Sequence, residues 1–387
     1  MNYEKVLSGA VRDIKPSGIR KFFDIVAERP DAISLGVGEP DFVTPWHIRD
    51  AGIYSLEKGR TYYTANSGLA ELRQEVCNYL KRRFDLEYES SQVLITVGGS
   101  EAIDISLRAI IEPGDEVIIP EPSFVCYSPC TSLAGGVPVP VETKEEDDFR
   151  LTPEALKSKI TPKTKALILP FPNNPTGAVM RKEDLEAIAQ VLEGTDIVVL
   201  SDEIYAELTY GDKHISIASI KGMKERTVLI SGFSKAFAMT GWRLGYLCAE
   251  PEFVKAVTKI HQYSIMCAPT TSQFAAVDAM QNSDRDVEEM VIQYNYRRKV
   301  ILDGLRNIGF DCFEPKGAFY IFPSIKRTGL TSNEFCNKLL DEQNVAVVPG
   351  DAFGASGEGF VRISYAYSIK SINAALERIE QFMKQYK

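Results

Sequence analysis

Four short stretches hold residue types that could do chemistry together, and each follows an apolar run. Val97-Gly98-Gly99-Ser100 follows SQVLIT and turns into a helix that begins near Glu101. Glycines let the backbone approach an anion, and the free amides and dipole of a helix N-terminus attract phosphate. Pro172-Asn173-Asn174-Pro175-Thr176-Gly177 follows KALILP. Asn174 is expected to face the crevice there, because open α/β sheets bind ligands at the carboxyl ends of their strands.

Ser201-Asp202-Glu203-Ile204-Tyr205 stands at the end of DIVVLS. A carboxylate at the end of a buried strand is costly unless it is paired, so Asp202 suits the positive nitrogen of a ligand. Tyr205 reaches the same ligand if the chain turns helically. In Ser231-Gly232-Phe233-Ser234-Lys235 a single lysine sits among small and apolar residues. Desolvation lowers an amine's pKa and leaves it nucleophilic toward a carbonyl. Arg243 lies in a following segment otherwise poor in charge and needs an anion. A plain turn or chance accounts for the first, second and fourth stretches taken singly, less well for the buried carboxylate of the third, and not for the four together. The glycine turn continues Gly-Gly-Ser-Glu-Ala rather than G-x-G-x-x-G, which argues against a nicotinamide dehydrogenase.

These residues need a frame. From Thr64 to Glu250, helix-like stretches alternate with the apolar runs SQVLIT, DEVIIP, GVPVPVE, KALILP, DIVVLS, RTVLIS and LGYLCA. Near-continuous apolar strands separated by helical periodicity predict an α/β fold with a doubly wound, mostly parallel sheet buried on both faces. After Pro251 the rhythm changes to long helical patterns such as DVEEMVIQYNYRRKVILDGLRNIG, then strands GAFYIF, VAVVPG and FVRISYAY, and a last amphipathic helix. This reads as a smaller α+β domain. The expected division is a large domain over 46–280 and a small domain from 1–45 with 281–387. The first stretch, lacking its own strand–helix alternation, is expected to pack across the junction.

Composition narrows the function classes. With 387 residues, 44% hydrophobic and 25% charged, the chain describes an ordinary globular protein without a low-complexity tract. A formal net charge of −9 argues against nucleic acid as a partner, since such binders carry clustered positive charge. The opening MNYEKVLSGAVRDIKPSG lacks the apolar core of a signal peptide, and nowhere do eighteen apolar residues run together. No membrane partner and a cytoplasmic location are expected. The seven cysteines sit mostly in apolar segments and are expected to stay reduced. Cys126 and Cys130 lie one helical turn apart without a His or further Cys to complete a metal site, so no metal is expected.

The motifs together resemble one family: the fold-type I pyridoxal-5'-phosphate (PLP) enzymes, specifically the class I/II aminotransferases that include aspartate aminotransferase. The run from Gly232 through Lys235 and Trp242-Arg243 to Gly245 is similar to that family's lysine signature. NNPTG, DEIY, GEPDF, GAFYIFP and FVRISYA follow in the family's order over essentially the whole chain. The resemblance implies that Lys235 carries the cofactor as an imine and then shuttles the substrate proton. It implies that Asp202 pairs with the pyridine nitrogen and that Asn174 and Tyr205 hydrogen-bond the ring's O3'. Backbone amides of Gly99, Ser100 and Glu101, with Ser231 or Ser234 and Arg243, would hold the phosphate, and Phe124 would stack on the ring. Arg362 would grip the substrate α-carboxylate, with Gly38 near it. Tyr63 would be lent to the phosphate site of the partner subunit, which implies a homodimer with shared active sites.

The chain also departs from the pattern. Many relatives have serine three residues before the lysine, where this chain has Gly232 with Ser231 one step earlier. Phe124 replaces the tryptophan of some aspartate-specific members, and no arginine is recognisable for a distal carboxylate, so strict dicarboxylate specificity is not supported. SGIRKFF, GAFYIFPSIK and EGFVRISYAY look most like aromatic and N-acetyl-diaminopimelate aminotransferases. Ser17-Gly-Ile-Arg20-Lys21 could place a cation over the substrate's distal end. The expected activity is transfer of an amino group from an L-amino acid to a 2-oxo acid, 2-oxoglutarate being the expected acceptor, by a ping-pong mechanism. The alternative is a PLP-dependent β-lyase acting on a sulfur amino acid, since fold does not fix function. A PLP-binding regulator would need an attached DNA-binding segment, for which the chain has no room.

Overall fold

The computed structural model describes residues 1–14, 16, 18, 19, 29 and 31–386. Ser17, Arg20 and Lys21 of the N-terminal basic stretch lie outside the described residues. Strand β1 (Ile33–Ser34) comes first. It is followed by β2 (Val93–Thr96), β3 (Glu116–Glu121), β4 (Val137–Glu142), β5 (Thr164–Leu169), β6 (Val198–Asp202), β7 (Thr227–Gly232) and β8 (Gly245–Cys248). The last seven form one sheet in the order β2-β8-β7-β6-β5-β3-β4, and each coincides with one of the seven apolar runs.

All neighbours in this sheet are parallel except β8, which runs antiparallel to both β2 and β7. The reason is the connection. Segment 233–244 leaves β7 and returns to the same edge without the helical crossover that a parallel strand requires. Helices Gly99–Ile110 and Pro251–Ser264 pack with Leu94, Ile230 and Leu247 on one face. Helices Ala70–Phe84 and Thr270–Asn282 pack with Val93, Ile95 and Leu229 on the other. Burial on both faces is why these strands read as continuous apolar runs. Strand β4 is the exception. It is an edge with partly exposed residues, and Pro138 and Pro140 are tolerated there because the outer side needs no amide donor.

The rest of the chain builds smaller sheets. Strand β12 (Val361–Ser364) lies between β9 (Tyr320–Ile321) and β11 (Val348–Pro349), antiparallel to each. Strand β10 (Val345–Ala346) pairs in parallel with β1. Helices Asp284–Ile308, Ser332–Gln343 and Ile369–Met383 close over them around Tyr294, Leu305, Phe319, Ile363 and Ile379. The long helix ends at Gly309, whose φ of +98° is the left-handed cap that glycine supplies at least cost. The N-terminal stretch was not expected to hold a strand, yet β1 lies there; two residues are too few to leave a periodic signal. No helix among the described residues is long and apolar enough to cross a membrane.

One ion cluster fastens helix Trp46–Glu57 to its neighbours. His47 stands between Asp278 and Asp286, hydrogen-bonded to both carboxylates. Burial disfavours its charge, but the two carboxylates outweigh it and hold the imidazole above its usual 6.5. A pKa raised by folding stabilises fully below the unfolded value and loses that contribution as pH rises through the folded one. His47→Ala is therefore expected to lower the melting temperature more at pH 6 than at pH 9. The effect should stay within about 1 kcal/mol, because the cluster is partly exposed, and thermal melts at both pH values check it.

Candidate active site

Parallel strands present their carboxyl ends together, and the antiparallel β8 starts at that same edge. Gly245 sits in register with Thr96 of β2 on one side and Gly232 of β7 on the other. The segments after β2, β3, β5, β6 and β7, and the one before β8, therefore converge. They line a cavity of 560 Å³ that also takes in residues of the N-terminal segment and of β9 and β12. Gly38, Gly99, Ser100, Phe124, Asn174, Asp202, Tyr205, Ser234, Lys235, Arg243 and Arg362 all reach it.

The glycine turn forms one end. Gly98 has φ +80°, and a Cβ there would stand 2.8 Å from the Arg243 guanidinium. Gly245 is required for a different reason: its Cβ would lie 2.6 Å from the Gly98 carbonyl carbon. The helix starting at Gly99 makes its first intrahelical bond only at Ala102, so the amides of Gly99, Ser100 and Glu101 remain available to an anion. The Glu101 carboxylate turns back instead, accepting from the Val97 amide and pairing with His261 Nδ1 at 2.9 Å. Arg243 donates to the Thr240 carbonyl at 3.0 Å and has no carboxylate partner among the described residues.

Lys235 projects from the loop after β7 and donates to the Gly38 carbonyl at 2.6 Å. Burial lowers the pKa of the amine to about 8; Arg362 and Arg243 push the same way, while Glu39 and Asp202 oppose. Across the cavity Asp202 ends β6 and is 7% exposed. Its Oδ2 accepts from the Tyr127 hydroxyl at 2.8 Å and its Oδ1 from the Ile204 amide at 3.2 Å. Burial nevertheless raises its pKa to about 6, against the pull of those hydrogen bonds. No cationic side chain bonds to it among the described residues.

Arg362 on β12 forms the third charged point. Its Nη1 donates to Asn174 Oδ1 at 2.9 Å and its Nη2 to the Gly36 carbonyl at 2.5 Å. The guanidinium carbon stands 4.5 Å from the Tyr320 ring centre and 4.8 Å from that of Phe353. Its buried Nε has no partner among the described residues, and burial works against its charge. Asn174 is held toward it because its neighbour Asn173 makes the turn, accepting from the Thr176 amide and hydroxyl at 3.1 and 2.8 Å.

Three expected residues do not line the cavity: Glu101, whose side chain turns back as described, Ser231 and Tyr63. Ser231, on β7, donates its hydroxyl to the Glu203 carbonyl at 3.2 Å and does not line the cavity, whereas Ser234 does. Strand alternation turns the Ser231 side chain to the face of the sheet opposite that of Ile230. Tyr63 is 76% exposed and outside the cavity. The residue reading missed Tyr127 and Tyr320, which hold Asp202 and Tyr205. The pattern GAFYIFP contains Tyr320, but nothing in it singles out that hydroxyl.

The cavity thus presents a buried carboxylate without a cation, a weakly basic amine, and two anion-seeking ends. PLP, with a ring nitrogen, a carbonyl and a phosphate, is complementary to the first three points, and Arg362 is left for a carboxylate. The comparisons agree with this chemistry. The family described as aminotransferase class I and II matches residues 30–379. The putative aminotransferase YugH of Bacillus subtilis (strain 168) is 54% identical over 97% of this chain and 98% of its own. An aspartate aminotransferase of Pyrococcus abyssi is 47% identical over 97% of each chain. The crystal structure of an aromatic aminotransferase from Pyrococcus horikoshii OT3 superimposes with a TM-score of 0.90 at 46% identity, covering 94% of this chain and 99% of that one.

Proposed function

The chain belongs to the class I and II aminotransferases, and from that premise we propose that it is a PLP enzyme that carries an amino group from an L-amino acid to 2-oxoglutarate in two half-reactions. The observation that carries this reading is that Lys235 and Asp202 line one cavity, an amine that burial makes less basic and a carboxylate with no cation bonded to it among the described residues. When bound, the cofactor supplies a carbonyl for the incoming amine and an electron sink for the charge left on the substrate's α-carbon. Lys235 Nζ would hold and move the proton between the substrate's α-carbon and the cofactor carbon on the other side of the amino nitrogen, a task suited to an amine whose pKa burial lowers to about 8. Asp202 keeps the ring nitrogen protonated, since an opposite charge favours the charged form. The amides of Gly99, Ser100 and Glu101, with Ser234 and Arg243, would hold the phosphate, Phe124 would stack on the ring, and Asn174 and Tyr205 would hydrogen-bond its oxygen.

Arg362 takes the α-carboxylate of donor and acceptor alike through its planar fork. Arg362→Lys loses the fork and should raise KM for the amino acid and the 2-oxo acid together by roughly 10- to 100-fold, with a smaller change in kcat; steady-state kinetics with each substrate varied checks this. The named relatives act on aspartate and on aromatic amino acids, so both are proposed donors, beside N-acetyl-diaminopimelate. Absorbance of the PLP-loaded protein mixed with each donor in turn tests the proposal. Conversion to pyridoxamine phosphate supports transamination and names the donor, whereas pyruvate accumulating from cysteine without an added 2-oxo acid overturns it in favour of β-elimination.

The domain division at residues 45 and 280 is proposed with this reading. So is a homodimer in which Tyr63 reaches the partner's phosphate site. Its support is the exposure of the large apolar side chains Trp46, Ile53, Tyr54, Tyr62, Tyr63, Tyr263 and Met266.

A further inference from the structure

Tyr205 meets a second phenol inside the cavity wall: its hydroxyl oxygen lies 2.8 Å from that of Tyr320. Both residues are buried, and burial raises the pKa of each phenol, so each keeps its single proton at ordinary pH. Tyr320 also touches the opposite end of the site. Its ring carries the Arg362 guanidinium at 4.5 Å, and its hydroxyl occupies the space that a Cβ on Gly38 would need. Tyr320 opens β9 in register with Ser364 of β12, the strand that bears Arg362. Phe319 packs against it at 4.9 Å between ring centres. The ring is therefore fixed by the same strand pair that fixes the arginine.

We propose that Tyr320 is a positioning residue whose hydroxyl donates a hydrogen bond to the Tyr205 oxygen, linking the arginine that receives the substrate carboxylate to the phenol that faces the cofactor. The inference rests on the proposed placement of Tyr205 against the ring oxygen. Its direction follows from counting protons. Tyr205 has one; when that proton points at an oxygen in the cavity, the Tyr205 oxygen can only accept, and the Tyr320 hydroxyl stands at 2.8 Å. A hydroxyl that accepts a hydrogen bond becomes a stronger donor. Tyr320 thus strengthens the bond made by Tyr205, and it does so through Tyr205 alone.

The test is a pH titration of the visible absorbance of the PLP-loaded protein, in the wild type, Tyr320→Phe, Tyr205→Phe and the double variant. Donation to the ring oxygen lowers the basicity of the Lys235 linkage, so weakening it moves the midpoint up. Tyr205→Phe should give the larger upward shift and Tyr320→Phe a smaller one, about 0.3–0.8 pH units if one neutral hydrogen bond is weakened. In the Tyr205→Phe background, Tyr320→Phe should add nothing. A separate comparison isolates the ring. Tyr320→Leu, which removes the face under Arg362, should raise KM for the amino donor roughly 10-fold, against less than about 3-fold for Tyr320→Phe. An unmoved midpoint in Tyr320→Phe, or an equal shift with and without the Tyr205 hydroxyl, overturns the proposal. A wild type with no pH-dependent band overturns the cofactor reading itself and this link with it, so the wild-type trace tells the two failures apart.

Discussion

Lys235→Ala is expected to lower kcat by about 10⁴-fold or more, because one side chain both anchors the cofactor and moves the proton, and a positioned general base alone is worth about 10²–10⁴. Single-turnover absorbance with an amino donor checks it: the wild type converts within the mixing experiment and the variant does not. Borohydride treatment followed by mass spectrometry should find a cofactor adduct at residue 235 in the wild type and none in the variant. The loss should not come from unfolding. Folding lowers the pKa of this amine from 10.5 to about 8, so the folded chain binds the proton less well than the unfolded one. Stability then rises with pH between those values, and at neutral pH the charged amine is a burden that the substitution removes. The cofactor-free variant should melt at or above the wild-type temperature at pH 7.

Asp202→Ala is expected to lower kcat by about 10²–10³-fold while PLP binding weakens far less, since the carboxylate acts on charge that develops at the reacting carbon rather than on the phosphate. Equilibrium dialysis with PLP, set beside half-reaction rates, separates the two effects. Asp202→Asn makes a stricter comparison, because it keeps a hydrogen bond from Tyr127 and removes only the charge. Here the sign of the pH effect is opposite to that of a salt-bridged carboxylate. Folding raises this pKa from 3.8 to about 6, so the folded, cofactor-free chain holds the proton more tightly and its stability falls as pH rises through that interval. Asp202→Asn should flatten that slope, measured by urea melts at pH 4 and pH 7.

Most of the large sheet could be read from the chain because its strands are buried on both faces, and burial leaves a run of Val, Ile and Leu whatever the neighbours are. The direction of β8 is a different matter. LGYLCA looks like the other runs, and only the short return from β7 fixes its sense. Asp202, Lys235 and Arg243 were legible because a charge in an apolar setting demands a partner. Tyr127 and Tyr320 gave no such signal, since each acts on a residue far away in sequence, 75 and 115 positions distant. Ser231 shows the limit of reasoning by spacing: one step along a strand decides which side a hydroxyl faces.

The N-terminal segment around β1 has few residues in regular structure, yet it ties the site together. Ile33 and Leu35 donate to the carbonyls of Asn344 and Ala346, and the Leu35 carbonyl accepts from Ser364. Gly36 then offers its carbonyl to Arg362 and Gly38 offers its own to Lys235. Six residues of backbone thus run from the C-terminal sheets to the nucleophile. Whatever carries those sheets nearer to or farther from the large one carries the Gly38 carbonyl with them, and with it the environment of the amine. The carbonyls that hold Arg362 and Lys235 thus stand two residues apart on one short stretch of plain main chain that is stitched to the C-terminal strands.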